Sequence, residues 1–338
     1  MFQAKNDKTR QTKTTIHSNW PMQHTYQKLS LRSRFAKFLI RTYITIARRD
    51  KWTLEQRRKR IPQFSKRYLK LPRNLVSEKV DVDGIPGEWI YFPEDKPERT
   101  ILYLHGGGYV MCCIESHRHL IAQIARAARA CVLAIDYRLA PEHPYPAALE
   151  DAFRAYNRLL ANGTDAQQLA IAGDSAGGGL AVCLSVKLRD EGFRLPAAVA
   201  CLSPWVDLTV SGDSIKTKAN EEIIVPVQYI KMGVEAYLNG ANPKSPTISP
   251  IFADLSGLPP MLIQVGTSEI LLDDARRLAV RAEADGVETT LEVWEGMIHV
   301  WHFFSDYIPE ARAAIEHIGQ FVQQQIPTIT KHHTDSKI

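Results

Sequence analysis

The sequence predicts an α/β protein with a mostly parallel central sheet, helices on both faces and an antiparallel hairpin at the start. From about residue 100 onward, short apolar segments alternate with helical patterns, which is typical of a parallel sheet covered by helices. Before that point, two strand-like segments flank Asp83-Gly84, a dipeptide that favours a hairpin turn. The chain has 338 residues, of which 45% are hydrophobic, and this is enough apolar material for one large core.

The first 73 residues differ in charge from the remainder. They hold 20 Lys or Arg and three acidic residues, whereas the remainder holds 22 Lys or Arg and 34 acidic residues. Residues 1–27 are polar and lack apolar periodicity, so we expect a flexible tail. Residues 28–50 and 53–61 have helical patterns, and the second helix opens with Thr53 and Gln56 in a capping-box arrangement.

An apolar stripe lies along one face of the first of these two helices. It consists of Leu31, Phe35, Phe38, Leu39 and Ile46, which recur at near-helical intervals. Such a stripe needs a partner surface, so we expect the basic segment 28–73 to dock on the acidic body of the protein. The alternative use of this positive charge is binding to an anionic membrane surface or to nucleic acid, and we expect no nucleic-acid partner.

Residues 74–327 are predicted to form one domain. Its predicted strands are 80–82, 88–91, 101–104, 131–135, 169–172, 197–202, 261–265 and 290–294, and its predicted helices are 116–129, 147–160, 180–189, 225–237, 272–285 and 309–324. Strand character is lost at about 210–240, which indicates an insertion in the alternation. Residues 328–338 are predicted to be a terminal tail.

The composition argues against several classes of protein. No apolar segment approaches the roughly 18 to 20 residues of a membrane span, and the first 30 residues lack the apolar centre of a secretory signal, so we expect a cytoplasmic protein. The five cysteines are odd in number and lie mostly in apolar segments. We therefore expect buried thiols, with neither a disulfide framework nor a zinc site.

A candidate nucleophile lies between a predicted strand and a predicted helix. The segment Gly173 to Gly177 reads GDSAG, with Ser175 at its centre. A strand that reverses into a helix within a few residues needs a tight turn, and glycines on both sides of the serine remove the Cβ atoms that would collide there. The pattern G-x-S-x-G in this context predicts a nucleophile elbow. The alternative is a glycine-rich turn without chemistry.

A serine hydroxyl needs a base to accept its proton. His299 lies in a loop directly after the last predicted strand, so it falls at the same edge of the predicted sheet as Ser175. His302, three residues later, is the less favoured histidine. We predict that His299 is the base.

The base in turn needs a carboxylate on its other ring nitrogen. Three carboxylates follow the strand 261–265, namely Glu269, Asp273 and Asp274. Glu269 still lies in the loop, whereas the two aspartates begin the next helix, where they can favour its N-terminal dipole. We prefer Glu269 and keep Asp273 as the alternative.

An ester carbonyl under attack becomes an oxyanion, which backbone N–H groups must stabilise. The glycines after His105 follow a buried strand, and the N–H of Ala176 lies at a helix N-terminus directly after Ser175. The alternative for this glycine run is a phosphate-binding loop. No G-x-G-x-x-G or Walker pattern accompanies it, so that alternative is disfavoured.

Together these motifs resemble a known family. His105 to Gly108 (HGGG), Gly173 to Gly177, the segment DYRLAPEHPYPAALED at 136–151 and Gly296 to His299 look like the hormone-sensitive-lipase-like carboxylesterases, bacterial family IV, of the α/β-hydrolase fold. The similarity covers about residues 75–325. It implies an ester hydrolase without metal or cofactor, with Ser175 as nucleophile and His299 as base.

The same resemblance implies further residues. Gly106, Gly107 and Ala176 resemble the family's oxyanion donors, and Glu269 stands where the family usually has aspartate. A helical cap built from residues 28–61 and about 210–240 is expected to cover the site. Homodimers are common in the family.

The substrate follows less directly from the sequence. Short-chain acyl esters are the family's usual preference, and lactones are an alternative. We expect Tyr109, Cys112 and Trp205, which follow predicted strands, to contact the substrate. A binding protein on the same fold is the alternative function, and the presence of His299 argues against it.

Overall fold

The structure, a computed structural model, describes residues 13–14, 23–26, 29–47, 52–95 and 97–328. Most of the predicted tail 1–27, and all but the first residue of the tail 328–338, lie outside the described residues. Within the described part, no helix is both long enough and apolar enough to span a bilayer.

A mostly parallel sheet forms the centre of the protein. Its strands are β1 Lys13–Thr14, β2 Gln23–Tyr26, β3 Val76–Val82, β4 Ile85–Tyr91, β5 Arg99–Leu104, β6 Ala130–Ile135, β7 Leu169–Asp174, β8 Ala198–Leu202, β9 Met261–Gly266 and β10 Thr289–Trp294. They lie in the order β1-β2-β10-β9-β8-β7-β5-β6-β4-β3. β5 to β10 are mutually parallel, and the predicted hairpin β3–β4 joins β6 in antiparallel orientation. Neither β1 nor β2 was expected from the sequence.

Nine helices accompany the sheet in the described part of the chain. They are α1 Leu31–Ala47, α2 Leu54–Tyr68, α3 Ile114–Ala128, α4 Ala147–Ala161, α5 Ala176–Asp190, α6 Ser214–Thr217, α7 Val227–Leu238, α8 Leu272–Ala284 and α9 Pro309–Gln325. The predicted capping box opens α2, because Thr53 Oγ1 accepts from the N–H of Gln56 while Gln56 Oε1 accepts from the N–H of Thr53.

Alternate residues of each central strand face opposite sides of the sheet, as the period of two requires. On β5, Leu102 and Leu104 pack into the core shared with α4, α5 and α8. Ile101 and Tyr103 pack into the core shared with α3 and α9. The sheet is therefore buried on both faces, as the α/β class predicts.

The prediction for the apolar stripe on α1 was wrong. Leu31, Phe35, Phe38 and Leu39 are between 50% and 82% exposed, and the side chain of Ile46 lies outside the described ones. The helix contacts the body through smaller residues on its opposite face, since Ser33 and Ala36 are buried. Small side chains allow a closer approach of the helix to the body, so the bulky face is left outside.

Candidate active site

The candidate residues follow four adjacent strands at one edge of the sheet. Ser175 comes directly after β7, Ser203 after β8, Glu269 three residues after β9, and His299 in the loop after β10. Because these strands are parallel neighbours, their carboxyl ends lie side by side. This is the position at which open α/β sheets bind ligands.

Ser175 lies in a strained turn between β7 and α5. Its φ is +53° and its ψ is −121°, a conformation that non-glycine residues rarely adopt. A Cβ on Gly173 would lie 2.4 Å from the carbonyl oxygen of Gly177, and a Cβ on Gly177 would lie 2.0 Å from that of Leu104. Both glycines are therefore required for this turn, as the G-x-S-x-G pattern predicted.

Glu269 and His299 form a direct contact. Glu269 Oε2 lies 2.7 Å from His299 Nδ1, and both side chains are almost completely buried. Glu269 Oε1 accepts hydrogen bonds from the N–H of Gly266 at 2.7 Å and from Ser203 Oγ at 2.8 Å. The carboxylate is thus fixed on both oxygens, and it holds the imidazole with its second nitrogen, Nε2, free to exchange a proton with another group.

The environment of His299 shifts its titration. Burial favours the neutral ring, but the hydrogen bond to Glu269 and its negative charge outweigh burial, so the pKa of His299 is raised above its ordinary value. Glu222 contributes a smaller attraction in the same direction. The site therefore stabilises the imidazolium that forms when the ring accepts a proton.

Ser203 connects the loops that carry the candidate residues. Its hydroxyl donates to Glu269 and accepts from the N–H of Val300, the residue after His299, at 3.1 Å. On its other side, the N–H of Ser175 donates to the carbonyl of Leu202 at 2.8 Å. Ser203 was not among the site residues expected from the sequence, although its position at the end of a central strand was the available signal.

The alternative acids serve other purposes. Asp273 Oδ2 accepts from the N–H of Ser214 at 2.7 Å, and Asp274 Oδ2 accepts from the N–H groups of Val206 and Asp207 at 3.0 Å each. No contact between either aspartate and His299 occurs within the described residues. From the start of α8 the two aspartates hold the segment after β8 and the start of α6. The geometry therefore favours Glu269 as the acid that contacts His299.

The glycine loop after β5 offers backbone donors, but not all the expected ones. The N–H of Gly106 donates to Asp174 Oδ1 at 3.1 Å, so it is engaged inside the protein, and this argues against the expected oxyanion role of Gly106. The N–H groups of Gly107, Gly108 and Ala176 have no acceptor in the described part of the chain. The N–H of Gly108 therefore joins those of Gly107 and Ala176, which were already expected, as a candidate oxyanion donor.

A buried polar cluster supports this loop. Asp174 also accepts from the hydroxyl of Tyr103 at 2.7 Å, and its Oδ2 lies 3.3 Å from His117 Nε2. Burial acts to raise the pKa of Asp174, but the charge of His117 and these hydrogen bonds lower it overall. An ionised Asp174 thus fixes the glycine loop relative to β7. A single carboxylate inside the GDSAG pattern gave no signal of this role.

Two of the expected substrate contacts are packing residues in this structure. Tyr109 and Trp205 are each 1% exposed, and Tyr109 stacks on Tyr237 of α7 with ring centroids 3.8 Å apart. Trp205 Nε1 donates to the carbonyl of Asp207 at 3.2 Å. Burial of this kind argues against direct substrate contact. Cys112 is half-buried, and burial raises the pKa of its thiol to about 12, so the thiol stays protonated.

A buried carboxylate of the predicted insertion reaches the same loops. Glu222 Oε1 accepts from the N–H groups of Ile224 and Val225, and its Oε2 accepts from the N–H of Ile270 at 3.1 Å. Ile270 directly follows Glu269, so Glu222 ties the insertion to the loop that holds the candidate acid. Within the residues that the structure describes, no group of His, Cys, Asp and Glu has an arrangement that could hold a metal ion.

The comparisons with known proteins agree with this geometry. A family model described as an alpha/beta hydrolase fold matches residues 101–303. An esterase from the bacterial hormone-sensitive lipase family has a crystal structure that matches with a TM-score of 0.84 at 44% identity, covering 89% of this chain and 100% of that one. The chain belongs to the hormone-sensitive-lipase-like esterases of the α/β-hydrolase fold.

Two further proteins and another solved structure are similar to this chain over most of its length. An acetyl-hydrolase of Streptomyces hygroscopicus is 47% identical over 244 residues, which cover 72% of this chain and 81% of that protein. An esterase of Acinetobacter venetianus is 35% identical over 239 residues, which cover 70% of this chain and 78% of that protein. The structure of the esterase EstE5 soaked with p-nitrophenyl butyrate matches with a TM-score of 0.82 at 42% identity, covering 89% of this chain and 100% of that one.

Proposed function

We propose that the protein hydrolyses carboxylic esters through an acyl-enzyme formed on Ser175. The observation that carries the proposal is the 2.7 Å contact between Glu269 and His299, together with a serine held at a positive φ at the end of a nearby parallel strand. A buried carboxylate on one ring nitrogen of a histidine is the arrangement that prepares the other nitrogen to act as a base. The function as a silent binding protein is disfavoured, because binding alone gives no reason for this pair.

The first half-reaction transfers the acyl group to the protein. Ser175 Oγ attacks the carbonyl carbon while its proton passes to His299 Nε2, and Glu269 stabilises the resulting imidazolium. The carbonyl oxygen becomes an oxyanion, for which the N–H groups of Gly107, Gly108 and Ala176 are the available donors. When the intermediate collapses, the C–O bond to the alcohol breaks, and the alcohol takes the proton from His299.

The second half-reaction returns the protein to its starting state. A water molecule gives a proton to His299 and attacks the acyl carbonyl, and the same backbone donors hold the second oxyanion. Collapse breaks the bond to Ser175 Oγ, which recovers its proton from His299, and the carboxylic acid leaves. Atoms and protons balance, so no cofactor is needed.

Short- to medium-chain acyl esters are the proposed substrates, and lactones are the second class. The acetyl-hydrolase and EstE5 relatives support the short acyl esters, by their names and by the butyrate ester used for soaking. A panel of p-nitrophenyl esters from acetate to decanoate beside a panel of lactones distinguishes the two classes, by comparison of kcat/KM.

The decisive variant is Ser175→Ala, assayed on p-nitrophenyl butyrate. We expect kcat to fall by about 10³-fold or more, since the nucleophile is lost while the oxyanion donors remain. Ser185→Ala is the matched control, because Ser185 lies on α5, the helix that Ser175 precedes, is buried and donates its hydroxyl to the carbonyl of Ala181. Turnover by Ser175→Ala equal to that of the control would refute the proposal.

A further inference from the structure

The outer face of α1 exposes four large apolar side chains. Leu31 is 82% exposed, Phe35 and Phe38 are 63% each, and Leu39 is 50%. With about 100° of rotation per residue, these four fall within one arc of roughly 100°. The arc is as wide as the core-facing stripe of an ordinary amphipathic helix, but it faces away from the core.

The helix is not detached from the protein. Its opposite face is buried at Ser33 and Ala36, and Ser33 Oγ donates a hydrogen bond to Glu310 of α9. Lys37 Nζ donates to Ser268 Oγ and to the carbonyl of Gly296, each at 2.9 Å. One face of α1 is therefore anchored on the body, and the outward direction of the apolar face is fixed.

Cations border the apolar arc on both sides. Arg34 and Arg41 lie along one border and Arg32 along the other, and all three side chains are exposed. Neither Arg34 nor Arg41 forms an ion pair with any residue that the structure describes. The described residues between 29 and 73 contain twelve Lys or Arg but only one acid, Glu55, and that acid pairs with Lys59.

We propose that α1 is an interfacial helix that docks the protein on an anionic lipid surface, a property that goes beyond ester hydrolysis. An apolar face between cationic borders fits such a surface, because the apolar side chains enter the acyl boundary while the cations meet the lipid phosphates. A second copy of the chain fits less well, since it would bring two strongly positive segments together. Docking would leave the loops of Glu269 and His299 on the side of α1 that faces away from the lipid, where Lys37 contacts them.

The test is co-sedimentation of the full chain with vesicles. Vesicles of phosphatidylglycerol and phosphatidylcholine in equal amounts should bind the protein, and the binding should weaken as salt screens the charges. The triple variant Leu31→Ser, Phe35→Ser, Phe38→Ser should bind at least a hundredfold more weakly, because three large apolar contacts are lost. The double variant Arg34→Gln, Arg41→Gln should bind the vesicles about fivefold more weakly for each charge removed.

Three controls separate this proposal from effects on folding, from catalysis and from binding to uncharged lipid. Phe252→Ser removes an aromatic side chain that is 40% exposed elsewhere on the surface, and it should bind like the parent protein with an unchanged Tm. Ser175→Ala should also bind like the parent, so the result does not depend on the proposed ester hydrolysis. Pure phosphatidylcholine vesicles should bind the parent protein only weakly.

Three outcomes would overturn the proposal. The first is a parent protein that stays in the supernatant with the anionic vesicles at low salt. The second is unchanged vesicle binding by the triple serine variant with its Tm preserved, because the apolar face would then play no part. The third is a dimer in sedimentation equilibrium that this variant dissociates, without vesicle binding by the parent, since α1 would then be an interface between copies.

Discussion

Lys37 Nζ donates a hydrogen bond of 2.9 Å to the carbonyl oxygen of Gly296, three residues before His299. The same ammonium donates to Ser268 Oγ, one residue before Glu269. Burial acts to lower the pKa of Lys37, although nearby glutamates oppose that effect. One side chain of α1 therefore touches both loops that hold the candidate acid and base.

Removal of this ammonium should weaken the positioning of the two loops. We expect Lys37→Met to lower kcat on p-nitrophenyl butyrate by about tenfold, which corresponds to one charge-assisted hydrogen bond, with a smaller change in KM. The matched control is Arg34→Met, a cation on the exposed side of the same helix, which should leave kcat unchanged. Equal kcat values for the two variants would contradict the positioning role.

Substitution of Glu269 tests the acid directly. Glu269→Gln should lower kcat by about 10³- to 10⁴-fold, because an amide cannot stabilise the imidazolium and can impose the wrong ring tautomer. Glu269→Asp keeps the charge but shortens the side chain by one methylene, so we expect an intermediate loss. Asp273→Asn should remain within about threefold of the parent; if it lost more activity than Glu269→Gln, Asp273 would be the acid.

The pH profile of kcat/KM should report the titration of His299. Only the neutral ring accepts the proton of Ser175, so activity should fall as the pH drops through the pKa of His299. Since that pKa is raised by Glu269, the midpoint should lie above about 6.5, the unperturbed value for histidine. Glu222→Gln removes a smaller negative influence and should move the midpoint downward. A profile that is flat between pH 5 and 8 would exclude His299 as the base.

The glycine that follows Ala176 allows a test of the turn by stability. A Cβ on Gly177 would lie 2.0 Å from the carbonyl oxygen of Leu104, a backbone atom that cannot move cheaply. Gly177→Ala should lower the free energy of unfolding by roughly 3 kcal/mol or more, as severe overpacking does. Gly84→Ala is the control: its Cβ meets nothing within 4 Å, so only its positive φ costs about 1 kcal/mol. Equal urea midpoints would contradict the close approach.

The sequence predicted the central strands and the residues at their ends because apolar periodicity and glycine turns are local signals. Ser175, Glu269 and His299 follow strands whose shared parallel direction, though not their order in the sheet, could be inferred from the alternation of elements. Their contact could not be read from spacing alone, since Glu269 and Asp273 differ by only one turn of chain. The 2.7 Å contact of Glu269 with His299 decides between them, and it depends on three-dimensional packing, in which Ser203 and Gly266 hold the carboxylate by hydrogen bonds.

The orientation of α1 is a feature that the sequence did not predict correctly. A helical stripe indicates which residues share a face, but it does not say whether that face turns inward. The anchoring of Lys37, Ser33 and Ala36 reverses the expectation for Phe35 and Phe38. The engaged N–H of Gly106 has the same origin, because its acceptor on Asp174 is distant in sequence.

The distance along the chain between Ser175 and His299 also bears on biosynthesis. β7 and its elbow are translated well before β9 and β10, yet β8, β9 and β10 are the strands whose ends supply Ser203, Glu269 and His299. A nascent polypeptide therefore carries the proposed nucleophile without its proton acceptor until the ribosome has passed residue 299. Hydrolytic activity of this architecture should switch on late and all at once, which spares the unfinished chain from acylation.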